Sequence, residues 1–345
     1  MKQAKHAKKN LFRKYFWEGQ HLDESSPQQD LPDDADFLDV ILIKYRKYVA
    51  VLIPLVVMQT FWWLTAIRYS WLSLYRTHWE LPAIMLLGST VAGMTCALFV
   101  IVFMGVQIEK RAVVFGMMGS VPGFIFGSLL VDPFFTGPQK KMLFVSIWSS
   151  FAVALYLLNA EKKRKTYYVI PEFKPWKAFV LSCTGFIGGI FTAFTGSGVD
   201  ICIFSIITLL FRVSEKIATP TTIVLMGLNS IIGVYYRVVW EDGVSELALD
   251  YIKITIPVAV TLAPIGSFLG SHFHRKVLAS FIYVLETLAV IGFLITKPPT
   301  ELVVIGAFII LFGYFFFSFI SRAGARIMKG IEEPAKTESE RMLEP

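Results

Sequence analysis

Long uncharged runs govern what this chain can fold into. Residues 49–67, 81–106, 112–131, 142–158, 217–239, 251–270, 277–295 and 301–320 each hold at most one charged residue. About 20 apolar residues in a helix cross the roughly 30 Å hydrocarbon core of a bilayer. Inside lipid every backbone polar group needs an internal partner, so only helices and closed barrels span it. Continuous rather than alternating apolar character selects helices. The expected fold is an all-α polytopic membrane protein. Composition agrees, with 55% hydrophobic and 17% charged residues, against about 25% charged in soluble chains. This excludes a soluble enzyme, a nucleic-acid-binding domain and a secreted disulfide scaffold. Cys96, Cys183 and Cys202 all lie in apolar runs and form no disulfide or zinc pattern. No metal site, cofactor motif or nucleophile–base constellation is found, so an enzyme is not expected. Residues 1–48 are polar and lack the apolar core of a signal peptide.

A further run, 178–211, is too long for one straight crossing. At 1.5 Å per residue it would extend roughly 50 Å. Thr195-Gly196-Ser197-Gly198 interrupts it. The economical reading is a broken, re-entrant hairpin whose limbs, 178–195 and 199–211, are both short for spanning.

Positive charge sets the orientation. With the amino terminus inside and 178–211 as a hairpin, 26 Lys and Arg fall in inside segments and 7 outside, the bias of cytoplasmic loops. Both termini are then cytoplasmic, and the net charge of +7 belongs to loops rather than to a nucleic-acid footprint.

Gly123 and Gly127 match Gly266 and Gly270, each pair following a Pro and closing a Gly-x-x-x-Gly-Ser. Small residues four apart allow close helix approach. The two helices have opposite orientation in this topology, which marks an inverted repeat. The same offset places the counterpart of 178–239 at 35–96, where no Gly-Ser-Gly break occurs.

The segment from Gly188 to Asp200 is where the sequence concentrates its chemistry. Gly196 and Gly198 let the backbone leave helical geometry. Free N–H groups at the start of the second limb, with the helix dipole, suit an anion, and the hydroxyls of Thr195 and Ser197 add donors. Asp200 is either a proton-relaying intramembrane acid or a cap of that limb, and a capping carboxylate would compete with a bound anion. In the next helix, Thr219, Thr222 and Asn229 form a polar stripe, open to a ligand or to interhelical hydrogen bonds. Glu286 is a second intramembrane acid, able to relay protons or to pair with a buried donor.

Thr195-Gly-Ser-Gly-Val-Asp-Ile-Cys202, Ala218-Thr-Pro-Thr-Thr222, Gly266-Ser-Phe-Leu-Gly-Ser271 and Lys140-Lys-Met-Leu-Phe-Val-Ser-Ile-Trp148 resemble the TauE/SafE sulfite-exporter family, specifically its animal-type members, over about 107 to 295. The resemblance implies two inverted repeats, each with a Gly-rich re-entrant hairpin, and movement of sulfur-containing inorganic or organic anions with protons as coupling ion. Measured against that family, Leu87–Thr95 resembles the start of the first-repeat hairpin, but Cys96 continues straight into an apolar run. Part of the first repeat is then missing.

These readings divide the chain into a polar cytoplasmic tail (1–48), a shortened first repeat (49–158), a basic cytoplasmic linker (159–177), a second repeat plus final helix (178–320), and a cytoplasmic tail of no fixed structure (321–345). The expected activity is secondary transport, export of small sulfur-containing or organic anions. Substrate contacts are assigned to Thr195, Gly196, Ser197, Gly198, Thr219, Thr222 and Asn229, and proton coupling to Asp200 or Glu286. The alternative is a transport-deficient scaffold or regulatory isoform lacking the first-repeat site. The expected partners are a small anion and the lipid bilayer, and the expected location is the plasma membrane rather than an organelle.

Overall fold

The structure, a computed structural model, describes residues 45–68, 105–160, 166–240 and 275–341, with single positions elsewhere. The amino-terminal tail before residue 45, most of the runs 81–106 and 251–270, and the Leu87–Thr95 segment with its missing hairpin lie outside the described residues.

Among the described residues the chain is helical, and extended pairing is limited to one isolated parallel bridge between Tyr167 and Val213. The helices are α1 (Arg46–Arg68), α2 (Lys110–Phe126), α3 (Gly137–Ala160), α4 (Pro175–Thr195), α5 (Val199–Ser205), α6 (Glu215–Trp240), α7 (Arg275–Ile295) and α8 (Thr300–Arg341). Wider π turns extend α2 through Gly127–Val131 and α5 through Ile206–Leu210. Among the described residues, five stretches are long and apolar enough to cross a bilayer: Lys110–Phe134, Gly137–Leu157, Pro175–Thr195, Glu215–Trp240 and Thr300–Gly330. The chain is an integral, multi-pass membrane protein.

Two of the expected boundaries change. Pro175 occupies the first turn of α4, where its missing N–H costs nothing. The first limb of the interrupted run thereby reaches 21 residues, about 31 Å, and is long enough to cross. Only the second limb, Val199–Leu210, stays short. The last helix does not end at 320 but continues to Arg341. Just past residue 320 it packs on the end of α5: Gly324 lies against the carbonyls of Leu209 and Leu210, and Arg212 Nη2 donates to the Ser321 carbonyl at 2.8 Å.

The chain forms two compact units. One comprises Met1–Gln107 and Met226–Arg275. In it, the Arg46 side chain donates to the Phe103 carbonyl and its guanidinium lies 5.6 Å from the centre of the Phe103 ring.

The other unit comprises Ile108–Leu225 and Lys276–Pro345, and holds the interrupted run. Its centre is the parallel pair α2 and α4. Gly119 and Gly123 of α2 face the backbone of Ser182 and Phe186, while Gly185 and Gly189 of α4 face that of Gly116 and Ser120. A side chain at any of these positions would overlap the opposing backbone. The small-residue stripe singled out in the sequence therefore sets the helix spacing, as small residues do between membrane helices. α8 runs in the same direction as α3, with Gly306 beside Ser146 and Gly313 beside Ser150.

A buried acid fixes the opposite end of this pair. Glu109, 3% exposed, is the N-cap of α2. Its carboxylate accepts the backbone N–H of Arg111 at 3.3 Å and of Ile170 at 2.8 Å. Its own N–H donates to Thr221 Oγ1 at 2.9 Å. One residue thus joins the start of α2, the segment ahead of α4, and the start of α6.

Candidate functional site

The turn between α4 and α5 gathers five of the residues singled out from sequence. Gly196 ends α4 in the left-handed region, at φ 80°, which glycine adopts without steric cost. Its N–H donates to the Thr192 carbonyl at 2.9 Å. Gly198 precedes α5 in an extended conformation and is needed for space instead. A Cβ there would lie 2.6 Å from Phe191 Cβ and 3.0 Å from the Gly188 carbonyl oxygen. A Cβ on Gly188 would lie 2.6 Å from Val199 Cα. α5 therefore folds straight back along α4, and Val213 beyond it reaches Tyr167, ahead of α4. The Ser214 N–H donates to the Tyr167 carbonyl at 2.8 Å.

The polar groups of the turn are committed to one another. Ser197, 7% exposed, donates its hydroxyl to the Asp200 carboxylate at 3.0 and 3.2 Å. The backbone N–H groups of Gly198, Asp200 and Ile201 lie close to that carboxylate. Asp200 is the second residue of α5 rather than its N-cap, which is Gly198. Thr192 Oγ1 accepts the Val199 N–H at 3.2 Å and donates to the Gly188 carbonyl at 2.8 Å. Thr195 Oγ1 sits between the carbonyls of Phe191 and Ser197. A hydroxyl has one proton to give, and the protons of Thr192, Thr195 and Ser197 are all placed on protein acceptors. The donors that the sequence suggests for an anion are therefore engaged, and the carboxylate holds the place an anion would take.

The remaining candidates lie elsewhere. In α6, Thr222 donates to the Thr219 carbonyl at 3.0 Å. Thr222 and Asn229 are buried, 6% and 2% exposed, while Thr219 is exposed. Glu286 lies in α7, one carboxylate oxygen enclosed without a hydrogen-bond partner among the described residues.

Sequence reasoning passed over Thr192, which takes the Val199 N–H, and Glu109, which anchors the far end of the unit. The signal for Glu109 was present: an acid immediately before Lys110-Arg111 and an apolar run, where an N-cap is expected.

Residues 72–297 match the family described as sulfite exporter TauE/SafE. No curated protein and no solved structure matches the chain. With the match covering well over half of the sequence and the interrupted run inside it, the chain belongs to the sulfite exporter TauE/SafE family of membrane transporters.

Proposed function

We propose that the chain is a secondary transporter that exports small sulfur-containing or organic anions coupled to protons, with the α4–α5 turn as a re-entrant substrate gate. The observation that carries this reading is the Ser197–Asp200 pair at the turn. An ionised Asp200 occupies the backbone N–H groups at the start of α5, and like charge excludes an anion. A protonated Asp200 is neutral and releases both those N–H groups and the Ser197 hydroxyl. Such N–H groups at a helix start suit an anion. Proton and anion then bind together and leave together at one turn, which is the requirement for coupling. Glu286 is a second point for proton transfer, whereas Thr222, beside Thr221 at the Glu109 end of the unit, stands apart from the turn. The reading includes an inverted repeat pairing Gly123 and Gly127 with Gly266 and Gly270. It also includes cytoplasmic termini, from the 26 to 7 charge bias, and residence in the plasma membrane.

The test is uptake of labelled sulfite, sulfate and methanesulfonate into proteoliposomes holding the purified chain, with and without a pH gradient. Saturable flux that follows the gradient is expected for at least one of the three. Flux no greater than in empty liposomes, with the protein correctly reconstituted, overturns the reading.

A further inference from the structure

At the Thr195 end of its unit, α3, α4 and α7 line an open cleft of about 450 Å³. Lys140 and Lys141 from the first turn of α3, Phe144 one turn further on, Phe194 and Thr195 from the end of α4, and Phe293 from α7 form its wall. The polar and apolar groups have separate jobs. Lys140 is already neutralised, paired with Asp132 at 2.6 Å. Lys141 is exposed and among the described residues carries no ion pair, so it is the uncompensated charge. The Thr195 hydroxyl proton is placed on carbonyl oxygens, so the donor for an anionic head must be an ammonium. An anion is thereby oriented with its head toward Lys141.

The size and the rings select the body. Cavities of roughly 300–1,000 Å³ suit organic molecules of many atoms. A four-atom oxyanion would leave three aromatic rings uncovered. We infer that this cavity is a binding site for organic anions with an apolar body, in which Lys141 takes the anionic head and Phe144, Phe194 and Phe293 take the body. The inference rests on the anion-transport reading and adds to it a site and a substrate preference. Because Thr195 belongs both to the cavity wall and to the α4–α5 turn, an anion seated here is one side chain away from the Ser197–Asp200 pair.

The test is equilibrium binding of labelled benzenesulfonate and methanesulfonate to the full chain in nanodiscs, with no gradient present. Benzenesulfonate is expected to bind more tightly. Lys141→Gln should weaken both probes by about tenfold or more, the usual worth of a charge-assisted hydrogen bond, and Lys141→Arg should restore them. Phe293→Ala should weaken benzenesulfonate by several-fold while leaving methanesulfonate near the parent value. Parental binding in Lys141→Gln, equal loss in the Gln and Arg variants, or equal loss of both probes in Phe293→Ala overturns the inference. If these fail while proteoliposomes still show proton-driven sulfite flux, the cavity assignment falls and the transporter reading stands. If the parent binds neither sulfonate, the cavity assignment falls whatever the flux.

Discussion

One carboxylate oxygen of Glu109 accepts the backbone N–H of Ile170 at 2.8 Å, between residues 61 apart in sequence. The other oxygen caps α2, and the residue's own N–H reaches Thr221. All three bonds meet at the end of the α2–α4 pair opposite the Gly196 turn. The bond holds the segment ahead of α4 in place, and with it the bridge from Tyr167 to Val213 that receives the returning chain.

Glu109→Ala should therefore destabilise the fold by about 2–4 kcal/mol, since buried N–H groups left without an acceptor cost about 1–3 kcal/mol each. Thr221→Val should cost about 1–2 kcal/mol by the same reasoning. Thermal midpoints from fluorescence-detected size exclusion in detergent check this. A parental midpoint for Glu109→Ala would show that the carboxylate holds nothing together.

At the turn, Gly188→Ala should be worse than Gly196→Ala. The first places a Cβ 2.6 Å from the backbone of Val199, and α5 must shift off α4. The second meets open space and pays only for a left-handed conformation at φ 80°, roughly 1–2 kcal/mol. The same thermal measurement ranks them, and the reverse order would mean that α5 does not pack on α4 as described.

Asp200→Asn should keep anion exchange between equal pH compartments while losing its response to a pH gradient. Asn accepts the Ser197 hydroxyl and caps about as well as Asp, but it does not titrate. Uptake that remains gradient-dependent in this variant would remove Asp200 from the coupling step and leave Glu286 as the acid to test.

Orientation follows from loop charge. Single cysteines at Lys5→Cys and Lys336→Cys, in a background without Cys96, Cys183 and Cys202, should resist a membrane-impermeant thiol reagent applied to intact cells. They should react once the membrane is opened. Labelling of either one from outside would contradict cytoplasmic termini.

The sequence alone determined that this chain is a bundle of membrane helices. It also marked where one of them breaks, because bilayer thickness imposes run length and glycine marks the departure from helix. It located the α4–α5 turn to the residue, and the small-residue stripe at Gly123 and Gly127, since both are local patterns. Tertiary structure decided what those residues do. Which acceptor takes the proton of Thr192, Thr195 or Ser197 depends on where α5 lands on α4. That landing is set by the absence of side chains at Gly188 and Gly198, ten residues apart. Whether Lys140 or Lys141 carries the free charge depends on Asp132 across the α2–α3 turn. Where α8 is tied to the end of α5 depends on Arg212 reaching Ser321, 109 residues on. A hydrogen-bond partner or a salt bridge is a distance between segments, and residue order alone does not contain it.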